Sequence, residues 1–371
     1  MKLTIERAVL LRSLGHVQSV VERRNTIPIL SNVKIDATDG KVALNATDMD
    51  LDIIEHVAVD IERPGAITAP AHTLYDIVRK LPDGSEIVLD ADGDGQLVLR
   101  AGRSRFTLPI LPTEEFPVLS GGVLGSGFSL PAADLRALID HTRFAISTEE
   151  TRYYLNGIYV HRADRDGTPV LRAVATDGHR LASSEMALPE GAEDMPGVIV
   201  PRKTVAELRK LIDETGAEIE ISLSENKIRF AFEDAIMTSK LIDGTFPDYQ
   251  RVIPVGNDKE LDVNCKLFSD AVDRVSAISS EKSRAIKLAL DPGVLTLSAS
   301  SPEYGSAVEE LEVTYQGEHL EIGFNAGYLL DIMRQIEGED VRLVMADSAS
   351  PTILRETDDQ DALYVLMPMR V

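Results

Sequence analysis

The stretch IERAVLLRSL, residues 5–14, sets Leu10 and Leu14 about one helical turn apart with Ile5 five residues before them, and that apolar pattern returns twice further along the chain. Adding 125 to each number lands on Leu130, Leu135 and Ile139; adding a further 133 lands on Val263, Phe268 and Val272. A second stripe, Leu74, Ile77 and Leu81, recurs as Val205, Leu208 and Ile212 after 131 residues and as Leu329, Ile332 and Ile336 after another 124. Each copy of the second stripe runs into a charged or glycine-bearing turn and then an alternating segment: GSEIVL, AEIEIS, EDVRLV. A helix-strand pattern that recurs at a third of the chain length predicts three copies of one domain. In such a chain function lies in how the copies are arranged, and no single copy need hold an active site.

The six expected helices span 5–22, 71–81, 130–146, 201–213, 265–278 and 325–336. Between them lie short segments of alternating polarity, among them KVALNA, QLVLRA, RFTLPI, GIYVHR, VLRAVAT, KIRFAFE, IMTSKLI, VLTLSAS, HLEIGF and ALYVLMPM. Period-two alternation bounded by Gly, Asp or Asn reads as antiparallel sheet covered on one face. The expected class is therefore α+β, each repeat placing two helices on one face of a curved antiparallel sheet. The turn-rich runs SGGVLGSG (120–127) and PVGND (254–258) divide the chain into domains 1–125, 126–255 and 256–371.

At 371 residues, 44% hydrophobic and 27% charged, the chain is long enough for two to four cores and has the composition of a water-soluble protein. The N-terminal segment mixes acids and bases among its apolar residues, unlike a signal peptide, and no apolar run approaches the roughly 18 residues of a membrane span. The one cysteine, Cys265, sits on an apolar helical stripe, so no intrachain disulfide is possible. A packed thiol in a reducing cytoplasm is expected.

A net charge of −23 argues against nucleic acid until its distribution is read. The six expected helices sum to +3 and everything else to −26, with bases gathered at Arg23-Arg24, Arg79-Lys80, Arg202-Lys203, Arg209-Lys210, and Lys282 with Arg284. Helices facing one way would make one face mildly basic and the sheet face strongly acidic, a body able to hold DNA on one side only. Solvated helix faces account for the same charges.

Nucleotide and metal motifs are weak. The glycine-rich run lacks the Lys-Ser/Thr of a phosphate loop. Asp90, Asp92, Asp94 and Gly95 begin like a calcium loop but reach Ala101 where a bidentate Glu is required. Asp48, Asp50 and Asp52 alternate as on the solvated face of a strand. Asp177 and His179, the best pair for a metal-dependent hydrolase, lack a third partner at a recognisable spacing. No cofactor is expected.

The strings ATDGHRLA (175–182), RYYLNGI (152–158), VPRK (200–203), SKLIDGTFPDY (239–249), YVLMPMRV (364–371) and RNTIPILSNV (24–33) closely resemble the bacterial β sliding clamp family, the processivity subunit of the replicative DNA polymerase. The resemblance runs from Arg24 to the last residue, in order. It implies the DNA clamp fold and two chains joined head to tail in a closed ring, helices lining the hole. Twelve helices at ~9 Å spacing give a circle of roughly 110 Å and a free bore of about 25 Å, enough for duplex DNA with water and ions.

The resemblance assigns duplex contacts to Arg24, Arg152, Tyr153, Tyr154, Arg202 and Lys203; the two tyrosines read equally well as core aromatics. It also implies a groove between the second and third domains that receives short peptides, built from Leu155, Thr176, Gly178, His179, Arg180, Leu181, Pro247, Arg251, Val252, Asn325, Tyr328, Val365, Met367, Pro368, Met369 and Arg370. His179, Arg180 and Arg251 would orient a peptide at its rim, and methionine suits a groove that accepts many sequences. Strand alternation alone would bury Met367 and Met369. Ser283, Ala349 and Pro351 in the expected wall bear on peptide preference. Ring closure would use Arg103, Arg105, Phe106 and Leu108 on one edge, and Ile278 and Glu303 on the other. Expected partners are double-stranded DNA without sequence preference, a second copy of the chain, the polymerase III catalytic subunit, the clamp loader, translesion polymerases, mismatch-repair proteins and ligase. No catalysis and no membrane are implied; the place of action is the cytoplasm, at the nucleoid during replication.

Overall fold

A computed structural model describes all residues except 94, 120–123, 213–215, 217, 280–283 and 371. Asp94 of the calcium-like run, Lys282, Ser283 and part of the glycine-rich run 120–127 therefore lie outside the described residues. Six α-helices form: α1 (Arg7–Gln18), α2 (Ala71–Lys80), α3 (Ala132–Arg143), α4 (Arg202–Ile212), α5 (Cys265–Ser276) and α6 (Ala326–Met333). All are shorter than their apolar stripes predict. Ile5, Leu130 and Val263 lie on the strands Lys2–Glu6, Ser126–Pro131 and Lys259–Asn264, each running directly into its helix. The stripe continues across the junction because the last inward strand residue and the first inward helix residue face one core. With the narrower bounds Glu6, Glu22, Asp213 and Arg334 drop out, and the summed helix charge rises from +3 to +5.

Every alternating segment named above is a strand, and all the pairing between strands is antiparallel. The chain divides into two compact units, and neither is a single repeat. The first holds Met1–Leu135, Pro189–Pro196 and Lys203–Leu241. Its five-stranded sheet runs Asp60–Arg63, Lys2–Glu6, Glu86–Asp90, Gln96–Ala101, Ser104–Pro109. Its eight-stranded sheet takes four strands from the central repeat (Ser126–Pro131, Glu218–Leu223, Lys227–Ala231, Ala235–Lys240) and continues without a break into Leu51–Ala58, Lys41–Thr47, Asn32–Thr38 and Gly65–Pro70. The join is the register Ala235 to Glu55 through Ser239 to Leu51.

The second unit holds Arg136–Leu188, Gly197–Arg202 and Ile242–Val371. Its nine-stranded sheet joins the remaining central strands to the third repeat where Arg180 pairs Leu366 and Ser184 pairs Ala362. A four-stranded sheet runs Gly305–Glu312, Val294–Ser301, Ala285–Asp291, Leu320–Asn325. Each helix buries one stripe: Leu10, Leu14 and Val17 in α1, Leu74 and Val78 in α2, Leu135, Leu138 and Ile139 in α3, Val205, Leu208 and Leu211 in α4, Phe268, Val272 and Val275 in α5, Leu329 and Ile332 in α6. Each such Leu, Ile or Val contributes about 1.5–3 kcal/mol. Asn264 and Asn325 cap α5 and α6, accepting from the Leu267 and Tyr328 amides. Cys265 is buried at the start of α5, and burial raises its thiol pKa.

The three alternating aspartates do not share a solvated strand face. Asp48 and Asp50 lie in the turn between the strands Lys41–Thr47 and Leu51–Ala58, where Asp48 Oδ1 accepts from the Asp50 and Leu51 amides. Asp52 points inward, 6% exposed, with Oδ1 unpartnered. Burial pushes its pKa up to about 7, against which a hydrogen bond from Asn45 pulls down. The acid is neutral in the folded chain below that pH, whereas in the unfolded chain it ionises near 4. Its penalty on folding is thus absent at low pH, grows between these values and is full above about 7. Asp52→Asn should stabilise the fold by up to about 4 kcal/mol at pH 8 and by less than half of that at pH 5. Denaturant melts of both proteins at the two pH values check this; equal stabilisation at both would remove Asp52 as the titrating group.

Candidate nucleic-acid and peptide interfaces

Loops and helix ends carry the basic side chains. Arg24 is exposed in the segment after α1, and Arg202 is exposed at the first turn of α4, its amide held by the Asn156 carbonyl. Both guanidinium groups are presented to solvent. Lys203, one residue on, differs. Its ammonium donates to the Val20 carbonyl at 2.9 Å, Glu22 Oε1 at 2.5 Å and Asp48 Oδ2 at 2.6 Å. Partial burial would lower its pKa, but the two carboxylates outweigh that and raise it. One turn along α4, Glu207 accepts from Ser19, so α4 grips the end of α1 at two successive turns. Nothing in the local sequence signals these pairings, which span about 155 to 190 positions.

Arg152 is half-buried, bound to Glu149 at 2.9 Å and to the Asp177 carbonyl at 3.1 Å. The tyrosines beside it part company. Tyr153 is 54% exposed, whereas Tyr154 packs on the cluster of Leu155, Val174, Leu181, Phe246 and Val365. Their rings meet edge to face at 5.8 Å. Tyr153 is thus the open aromatic and Tyr154 its support.

All sixteen residues expected in the peptide groove belong to the second unit. Leu155, Leu181 and Val365 are buried in one cluster. The C-terminal segment is laid beside them: Met367 donates its amide to the His179 carbonyl and Met369 to that of Gly323. Strand Ala362–Leu366 ends at Leu366, so the alternation that would bury the following methionines stops there. Met367 is 41% and Val252 48% exposed, and Pro247, Arg251 and Arg370 are open to solvent. Gly178 has φ +89°, and a Cβ there would stand 2.6 Å from Arg152 Nη1. Only glycine fits this turn.

Arg180 is not a free rim donor. Its Nε donates to Asp177 Oδ2 at 3.2 Å, Nη1 to Asp331 at 2.6 Å and Nη2 to the Phe144 carbonyl at 2.8 Å. The guanidinium stacks 4.4 Å over Tyr328 and 5.1 Å over Phe144. It braces the wall on which Tyr328 stacks with His179 at 6.2 Å. Asp177 in turn accepts from the His179 and Arg180 amides, so Asp177 and His179 form a turn and carry no acid-base geometry. Phe144 and Asp331 complete this wall and were invisible in sequence, since only the fold brings them to Arg180. Thr176 accepts from the Gly178 amide, Asn325 is the α6 cap, and Ala349 and Pro351 are exposed and half-buried respectively.

Among the described residues each of the four sheets ends in two strands paired on one side only, and two of these eight edges differ sharply in charge. Ser104–Pro109 pairs only with Gln96–Ala101, and Gly305–Glu312 only with Val294–Ser301. Arg103 and Arg105 are exposed and Phe106 half-buried at the first edge, while Leu108 is 7% exposed and packs inside its own sheet layer. The second edge carries Glu309, Glu310 and Glu312, with Glu303 exposed just before it and Val308 68% exposed. Arg274 holds Glu309 and keeps its pKa low. Ile278 is half-buried after α5. Asp90 and Asp92 both receive Arg63, and among the described residues no group of His, Cys, Asp and Glu is placed to hold a metal.

Three family models match the chain in succession: the DNA polymerase III beta subunit N-terminal domain at residues 1–120, its central domain at 129–248 and its C-terminal domain at 250–370. The chain is 58% identical to the beta sliding clamp of Caulobacter vibrioides and 41% identical to that of Escherichia coli K12, covering all of both proteins. Among solved structures it resembles a sliding clamp from Bartonella birtlesii bound to griselimycin (53% identity, TM-score 0.97, all of both chains). It also resembles the Caulobacter crescentus clamp with polyethylene glycol at its putative beta-motif tethering region (57%, TM-score 0.98, all of this chain and 99% of that one).

Removing the brace leaves Asp177 without its cation and Asp331 with Arg334 alone. Arg180→Ala should cost about 2–4 kcal/mol, somewhat under the roughly 3–5 kcal/mol for breaking a fully buried pair, because Asp331 is partly exposed and keeps Arg334. Thermal unfolding checks this; a loss below about 0.5 kcal/mol, the level of an ordinary surface change, would return Arg180 to the rim.

Proposed function

The chain belongs to the DNA polymerase III beta subunit family, the beta sliding clamps, and on that premise we propose that two copies join head to tail into a closed ring around duplex DNA. The observation that carries this is the pair of open edges. One chain presents a basic strand edge at Ser104–Pro109 and an acidic one at Gly305–Glu312. Unlike edges meet heterologously, and two such contacts close a two-membered ring that pairs both of these edges. Arg103, Arg105 and Phe106 face Glu303, Val308 and Ile278 in that contact, with Leu108 supporting from beneath. The repeats 1–125, 126–255 and 256–371 then supply six domains and twelve helices.

Retention is topological, and weak contact suits it. Strong phosphate binding would resist movement, and base readout would stop the ring at particular sequences. Arg24, Arg152, Tyr153 and Arg202 are the side chains best placed to touch the duplex, with Tyr154 behind Tyr153. Family members are processivity factors, not enzymes. The patch of Met367, Pro368, Met369, Val252 and Pro247 over the floor of Leu155, Leu181 and Val365 receives short peptides with apolar anchors. A Met-lined surface repacks around different sequences, so the polymerase III catalytic subunit, clamp loader, translesion polymerases, mismatch-repair proteins and ligase share it. Among the described residues no helix is long and apolar enough to cross a membrane, and the work is done in the cytoplasm at the nucleoid.

Loaded onto nicked circular DNA by a cognate loader with ATP, the protein should remain on circles and leave once they are cut. Equal retention on both would mean direct binding and overturn the ring. Arg24→Ala should shorten residence on circles while leaving the dimer, twice the 40.5 kDa chain, intact in sedimentation. Deleting 367–371 should abolish binding of a clamp-binding peptide in calorimetry without dissociating the dimer; undiminished peptide binding would move the groove elsewhere.

A further inference from the structure

We propose that Glu22 and Asp48 act as internal phosphate substitutes, holding Lys203 away from DNA and thereby setting how weakly this chain grips the duplex. An ammonium has three N–H donors. All three of Lys203 are filled, by the Val20 carbonyl, Glu22 and Asp48. The Lys203 side chain is nevertheless 34% exposed and Glu22 59%. A phosphate oxygen arriving there would compete with carboxylate oxygens that likewise share one negative charge over two acceptors, and would gain little by displacing them. Arg202, the adjacent residue, has its guanidinium open. Two neighbouring cations at the start of α4 are thus treated differently: one is offered to solvent and one is neutralised in place. The neutralising acids come from two separate segments, the end of the α1 region and the turn before Leu51–Ala58. Asp48 is only 15% exposed and has its other oxygen fixed by the Asp50 and Leu51 amides, so it is aimed at Lys203 by the fold.

The proposal rests on duplex DNA being the track, and its test separates the two. Binding of the protein alone to a short linear duplex is measured by fluorescence anisotropy from 50 to 200 mM salt, for the wild type and for Glu22→Gln/Asp48→Asn. Asn keeps the Oδ1 acceptor that closes the turn. Freeing Lys203 adds one phosphate contact per chain, so the slope of log K against log salt should steepen by ~0.9. The affinity lost over that salt range should then grow about threefold per chain. Adding Lys203→Met to the pair should return the slope to that of Lys203→Met alone. An unchanged slope in the double variant makes Lys203 a structural staple only, and a steeper slope that persists without Lys203 makes the effect one of net charge; either overturns the proposal. Should the double variant fail to fold, the exposed Glu22→Gln alone carries the same test with a smaller change. Failure of the track itself shows elsewhere, as equal retention of the wild type on circular and cut DNA.

Discussion

Main-chain pairing across the repeat boundaries is the constraint on which the rest depends. Ala235–Ser239 lies against Leu51–Glu55 in one sheet, and Arg180–Ser184 against Ala362–Leu366 in the other. Each pairing satisfies a row of backbone donors and acceptors that would otherwise form an edge. The consequence is that the central repeat is divided: its strands complete the sheets of the first and third. Three sequence copies thereby become two compact units, each with a sheet longer than one repeat could supply. The same pairing places the C-terminal strand beside the turn at Asp177–Arg180, without which Met367 would have no His179 carbonyl to bond and Val365 no Leu181 opposite it.

The repeat was legible because it is a matter of period. Apolar stripes at helical spacing and alternating strands depend on which face meets a core, and neighbours in sequence report that. Boundaries were less legible. Ile5 and Val263 satisfy a helical stripe yet end strands, because a strand feeding straight into a helix keeps its last inward side chain in register with the helix stripe. The apolar and aromatic members of the groove came from resemblance, and the structure explains why they cluster. Their polar partners escaped: nothing near Arg180 in sequence announces Phe144 or Asp331, and nothing near Lys203 announces Glu22. Long-range ion pairs have no period. Asp52 escaped for a related reason, since alternation with Asp48 and Asp50 held only on paper once Asp48 and Asp50 became a turn.

Charge is the second theme. The chain is acidic overall, yet within the observed helix bounds the helices sum to +5. Counting overstates what those helices offer a phosphate. Lys203 is saturated, Lys210 is held by Glu207, and Arg152 is partly held by Glu149. Arg24 and Arg202 are the cations presented openly in the set. A protein retained by topology has no need of tight contact, and each additional open cation adds drag and salt sensitivity. Internal pairing trims the helix charge to a level that favours the duplex without fixing it.

The peptide surface follows the opposite logic. There the polar groups are spent on rigidity: Arg180 uses its donors on Asp177, Asp331 and the Phe144 carbonyl, and its flat face on two aromatic rings. The exposed apolar side chains, Met367 and Val252, are adaptable, with His179, Arg251 and Arg370 exposed around them. A rigid wall with a soft lining discriminates by shape at the floor and tolerates variety above it, since methionine repacks at little cost while Leu155 and Leu181 cannot. One chain can therefore present a single groove to several partners in turn.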